Sequence, residues 1–131
     1  MRHQSMDEQQ LASATEYEGF LKNVPLFEAL SDQEVSEVAA NLVEEVFDVN
    51  SYIIREGEPG ESMYVLKSGK ATATKEGYDF EIDYQPGDFF GELALLTANP
   101  RGASIKTSAD SEAVVLKVER KQFMLLVGKA S

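Results

Sequence analysis

The spacing of apolar positions changes character twice along the chain. Over residues 8–22, Leu11, Tyr17, Phe20 and Leu21 form an irregular helical stripe, which Pro25 ends. Ser31-Asp32-Gln33-Glu34 has the spacing of a capping box, with Ser31 as N-cap and Glu34 at the third helical position. Val35, Val38, Ala39 and Leu42 then recur at helical spacing, which predicts a helix over about 32–41. From Val43 the rhythm is that of strands. Strand-like runs fall at 43–48, 51–55, 63–67, 70–75, 79–84, 103–108 and 112–118. Gly57-Glu58-Pro59-Gly60, Ser68-Gly69, Glu76-Gly77 and Gln85-Pro86-Gly87-Asp88 punctuate them as turns. Short strands at this spacing predict a sandwich or a closed barrel. Phe123, Leu125, Leu126 and Val127 predict a final amphipathic helix over about 119–127.

One segment departs from the strand rhythm. Gly91-Glu92-Leu93-Ala94-Leu95-Leu96 has no β-branched residue and is rich in helix formers. A short helix between strands presents free amides at its start, and that end attracts anions. Gly91 permits close approach of a ligand to the backbone. Arg101 follows after the turn Ala98-Asn99-Pro100, which can fold it back to the same place. Arginine stays charged and meets phosphate with a two-pronged fork. A carboxylate such as Glu92 would repel a phosphate and suits a hydroxyl donor. Amides and an arginine for a phosphate, with an acid beside them for a hydroxyl, describe a sugar phosphate or a nucleotide.

Composition narrows the partners. The chain has 131 residues with 12 basic and 23 acidic side chains, for a net charge of -11. Such a field opposes nucleic acid, whose binding rests on neutralising many phosphates. A single small anion can still be held locally, because distant charges are screened beyond ~8 Å at physiological salt. There is no cysteine, and the one histidine, His3, lies in the polar N-terminal stretch. Neither a clustered His/Cys metal site nor a Ser-His-Asp set can therefore form in the body of the chain, so no cofactor and no catalytic residue is expected. No apolar run approaches the ~20 residues that span a bilayer. A single, soluble, cytoplasmic domain is expected. Glu18, Glu44 and Glu45 read as solvated acids.

Three stretches resemble one family. Phe90-Gly91-Glu92-Leu93-Ala94-Leu95-Leu96-Thr97-Ala98-Asn99-Pro100-Arg101-Gly102-Ala103-Ser104-Ile105 resembles the phosphate-binding cassette of cyclic nucleotide-binding domains. It is most similar to the regulatory domains of the cAMP- and cGMP-dependent protein kinases. Ile53-Ile54-Arg55-Glu56-Gly57-Glu58-Pro59-Gly60 resembles the family's glycine-rich barrel turn, and Phe20-Leu21-Lys22-Asn23-Val24-Pro25-Leu26-Phe27 its N-terminal helical motif. The likeness runs from about 17 to 127.

The resemblance implies a mainly β fold: an eight-stranded jelly-roll β-barrel with an N-terminal helical bundle and a C-terminal helix. The seven runs fall one short, and Phe89-Phe90 or residues 46–54 can hold the missing strand. Residues 1–16 would be a tail and the start of the first helix. The binding domain would span 17–131, with helices over 17–42, the barrel over 43–118 and the last helix over 119–127. Position by position, Arg101 would pair with the cyclic phosphate and Glu92 would accept from the ribose 2′-hydroxyl. Gly91, Ala94 and Ala103 would give backbone contacts, and Gly102 would sit beside the base. Leu93 would be the apolar residue that senses the filled pocket and moves the C-terminal helix. Glu61 would steady the arginine.

The resemblance also implies that the domain is regulatory, not enzymatic. It would control a protein kinase catalytic domain on the same chain or another. There are departures from the family pattern. Thr97 stands where the kinase domains often carry an aromatic residue, and Gly102 where cGMP-selective members carry threonine. The family's long final helix lies outside the sequence, which is expected to be part of a longer regulator. Gly102 offers no hydroxyl to a guanine amino group, and Phe80-Glu81-Ile82-Asp83-Tyr84 carries no basic residue. A site without such groups discriminates weakly, which favours cAMP. The compact Thr74-Lys75-Glu76-Gly77 turn is similar to that of the cGMP kinases. A cGMP-selective domain, or the nucleotide domain of a channel or other effector, is the alternative.

Overall fold

Turn residues cut the chain from Val43 onward into eight short strands, all paired antiparallel. A computed structural model describes residues 16–130, with side chains as far as 126. The expected helical stripe over 8–15, with Leu11, the tail, His3 and the side chain of Val127 lie outside the described residues. Among those described, no helix is long and apolar enough to cross a membrane.

The chain divides into two compact units, 1–41 and 42–131. In the first, helix α1 occupies residues 16–21. A 3-10 turn, Pro25–Ala29, follows with proline at its start, where the missing N–H is no loss. Helix α2, Asp32–Ala40, begins at the predicted capping box. Ser31 Oγ accepts from the Glu34 N–H at 3.1 Å, and Glu34 Oε1 accepts from the Ser31 N–H at 2.8 Å. Across this stretch Leu21, Val24 and Phe27 are buried ahead of α2, and Val35, Val38 and Ala39 within it.

The second unit holds β1 (Val43–Phe47), β2 (Tyr52–Ile54), β3 (Ser62–Ser68), β4 (Ala71–Thr74), β5 (Ile82–Tyr84), β6 (Phe89–Phe90), β7 (Ser104–Thr107), β8 (Ala113–Glu119) and helix α3 (Arg120–Ala130). Two four-stranded sheets form, in the orders β1-β8-β3-β6 and β2-β7-β4-β5. The jelly roll is thus a two-sheet sandwich, and among the described residues no ladder joins the sheets into a closed barrel. The eighth strand is Phe89–Phe90, which pairs with Val65 and Tyr64. Ile53, Ile54, Leu66, Ala71, Ala73, Phe90, Ile105, Ala113 and Val115 form the core, with Tyr84 packed at its margin. β3 is buried at every position from Ser62 to Leu66, because it lies inside its sheet and also carries the 3-10 turn Glu92–Leu95. The expected strand at 79–84 shrinks to Ile82–Tyr84, since Tyr78 and Phe80 are exposed and stack edge-to-face on each other instead.

Candidate functional site

Gly91 opens the segment that broke the strand pattern. Its φ of 77° places it in the left-handed region, which costs glycine nothing and a side-chain-bearing residue about 1 kcal/mol or more. That turn of the backbone ends β6 and starts the 3-10 turn Glu92–Leu95. The helix is tighter and shorter than an α-helix, so few of its amides find partners within it. Leu95 is fully buried and anchors the turn, while Leu93 is 69% exposed.

Arg101 returns to this turn by two routes. Its backbone is clamped by the glycine-rich turn: the Gly57 N–H donates to Arg101 O at 2.8 Å, and the Arg101 N–H donates to Glu58 O at 2.8 Å. A bridge between Pro59 and Pro100 continues the pairing. Its side chain, half-buried, donates from Nη2 to Ser62 O at 2.7 Å and from Nη1 to Gly91 O at 3.3 Å. Gly60 lies directly against it, for a Cβ there would sit 2.5 Å from Arg101 Cζ. Among the described residues Arg101 has no carboxylate partner. Burial pushes the guanidinium below its ordinary pKa, partly offset by Tyr64 nearby. A desolvated cation held only by carbonyl dipoles is a place where an anion gains more than it would in water.

A cavity of about 530 Å³ opens beside this arginine, within the ~300–1,000 Å³ range of small-molecule sites. Gly91, Glu92, Leu93, Arg101, Gly102 and Ala103 all line it. Six of the expected site residues therefore border one cavity. Two others are placed elsewhere. Ala94 is buried outside the lining; its N–H donates to Gly91 O at 3.1 Å, and its carbonyl accepts from Arg120 Nη1 at 3.5 Å. Glu61, with its side chain 80% exposed, pairs with Arg120 Nη2 at 3.5 Å and not with Arg101. The carbonyls of Ser62 and Gly91 do the steadying that Glu61 was expected to do.

The rest of the lining was not read from the sequence. It includes Ile54, Ala73 and Ile105 from the sheet, with Lys75, Phe80, Ile82 and Tyr84. Its apolar alternation was legible, but the face it turned to the cavity was not. The Tyr84 hydroxyl is pushed above its ordinary pKa first by burial and then by the negative charges of Glu92 and Asp88, and Tyr84 and Glu92 both line the cavity.

The comparisons with known proteins agree with this geometry. The profile of the family described as cyclic nucleotide-binding domain matches residues 44–129. The chain belongs to the cyclic nucleotide-binding domain family. It is 43% identical over 113 residues to a cAMP-dependent protein kinase regulatory subunit of Emericella nidulans, covering 86% of this chain and 27% of that protein. It is 37% identical over 114 residues to one from Debaryomyces hansenii, covering 87% of this chain and 25% of that protein. The chain thus spans about a quarter of the length of these relatives. Among solved structures, the regulatory domain of Toxoplasma gondii PKA, co-crystallised with cAMP, superposes with a TM-score of 0.76 at 34% identity, covering 94% of this chain and 48% of that one. A cyclic nucleotide-binding-like protein from Brucella abortus, at 23% identity and a TM-score of 0.75 over 86% of this chain and 98% of that one, shares the fold.

Proposed function

We propose that this domain binds cAMP and, through that binding, regulates a protein kinase catalytic domain on the same chain or on a partner. The observation that carries the reading is Arg101: a half-buried guanidinium, held by two carbonyls and, among the described residues, by no carboxylate, at the wall of a cavity that Glu92 also lines. The cyclic phosphate takes the open side of Arg101 and the amides at the start of the 3-10 turn. Glu92 accepts from the ribose 2′-hydroxyl. Ala103 and Gly102 border the sugar and the base. Relatives described as regulatory subunits of cAMP-dependent protein kinase support the choice of ligand and of partner. A cytoplasmic setting belongs to the same proposal.

Leu93, exposed beside the cavity, is the side chain that repacks when the pocket fills, and helix α3, which packs on the 3-10 turn, moves with it. A partner that prefers the empty domain is then weakened by nucleotide to the same degree that it weakens the nucleotide. The test is titration calorimetry of the wild type and Arg101→Ala with cAMP. Loss of one side of a buried charge pair should lower affinity about a hundredfold or more. Near-normal binding by the variant would overturn the site. The cGMP reading is favoured by one observation, the presence of Lys75 among the residues that line the cavity.

A further inference from the structure

The connection from β4 to β5 carries Phe80, which lines the cavity together with Ile82 and Tyr84 of β5. The ladder between the two strands stops at Ala73 opposite Ile82. Beyond that pair the tip of the hairpin makes few bonds of its own. The Tyr78 N–H donates to Lys75 O at 3.0 Å, and the rings of Tyr78 and Phe80 meet edge-to-face at 5.8 Å. Neither contact fastens the tip to the rest of the sandwich. A segment held by so little opens readily.

One carboxylate does fasten it. Glu56 Oε1 accepts from the Glu76 N–H at 2.9 Å, and Glu56 Oε2 lies 3.9 Å from Lys75 Nζ. Glu56 belongs to the glycine-rich turn that clamps Arg101. Its own N–H donates to Ser104 Oγ at 2.9 Å, and the next N–H, that of Gly57, donates to Arg101 O at 2.8 Å. Lys75 Nζ adds a third tie by donating to Gly102 O at 2.7 Å. Arg101, Gly102 and Ser104 are therefore held from the same place as the hairpin tip. The two links made by the carboxylate differ in strength. The bond from the Glu76 N–H is short and charge-assisted. The ion pair is long, its side chains are 30% and 37% exposed, and salt screens it.

We infer that Glu56 is a positioning residue for the ligand: its carboxylate ties the β4–β5 tip to the segment that carries Arg101, and so fixes Phe80 and Ile82 in the lining that they share with it. The inference rests on the proposed nucleotide site. Glu56 is not among the residues that line the cavity, so it acts through the hairpin and not by touching the nucleotide. A ligand leaves when the lining around it gives way. The tie therefore slows departure more than it changes arrival, which is where most affinity differences within one site reside.

The experiment is surface plasmon resonance with cAMP flowing over the immobilised protein, for the wild type, Glu56→Ala and Glu56→Gln at low and high salt. Thermal unfolding of each nucleotide-free protein runs alongside. Glu56→Ala is expected to release cAMP about tenfold faster, with an association rate within about twofold of the wild type. Glu56→Gln keeps an oxygen for the Glu76 N–H and loses only the charge. Its release should quicken by about threefold or less and depend on salt less steeply than that of the wild type. An unchanged release rate in Glu56→Ala, with or without a lower unfolding midpoint, would overturn the inference and leave the nucleotide site standing. A loss of affinity carried by association alone would overturn it too. Absence of cAMP binding by the wild type would overturn the proposed function, and this inference with it.

Discussion

Gly60 has no side chain, and the guanidinium arm of Arg101 fills the space one would take. Its backbone is ordinary, so the requirement is room and not conformation. Gly60→Ala is expected to push Arg101 off Ser62 O, with an overpacking cost of about 1–3 kcal/mol. Thermal unfolding should show the loss, and calorimetry should show weakened cAMP binding. A variant that keeps full affinity would show that the arginine has another seat. Gly91 is different, since its left-handed φ strains any side chain there, and a Cβ would also come within 2.9 Å of Arg101 Nη1. At this scale the sequence was informative where chemistry is local. Gly91, Glu92 and Arg101 were marked by residue type alone. Glu61 was not placed by it: a turn acid has more than one cation within reach, and here Arg120, whose own N–H donates to Glu61 O at 2.7 Å, is held closer.

Elements divide in the same way. The α2 capping box was legible because both hydrogen bonds span three residues, and the structure forms both. Ser31→Ala should cost about 1 kcal/mol. Native-state hydrogen exchange should read that as α2 amides exchanging about fivefold faster. Unchanged protection would mean that the cap contributes nothing. The 3-10 character of Glu92–Leu95 could not be read, because helix propensity does not distinguish the two helices. The two-residue strand Phe89–Phe90 was visible only as an apolar pair. It becomes a strand by pairing with Tyr64 and Val65, far away in sequence. The loss of residues 79–81 from β5 has the converse cause, since the β4 partners end at Ala73 opposite Ile82.

At the level of the whole molecule, the tyrosines that border the site link stability to alkaline pH. Burial is the first cause that raises both Tyr64 and Tyr84 above the ordinary tyrosine pKa. A raised folded pKa means the folded state holds its proton longer than the unfolded chain. The resulting stability is complete below pH 10 and is lost as pH rises through the folded pKa. Arg101 shifts the opposite way, but a guanidinium starts from so high a pKa that it does not act in this window. Thermal unfolding between pH 9 and about 11 should therefore show a falling midpoint, and Tyr84→Phe should flatten the fall. An equal slope in that variant would remove Tyr84 from the account.

The sequence by itself determined the class of fold, the capping of α2, the turns and the cassette residues. Each of these depends on side-chain period, on backbone limits or on bonds between near neighbours. Tertiary structure decided which carbonyls seat Arg101, that Ala94 turns away from the cavity, and that Lys75 joins Gly102 at its wall. Those contacts join residues that share no local rule. They exist only because antiparallel pairing in two sheets brings the glycine-rich turn, the end of β4 and the cassette to one place.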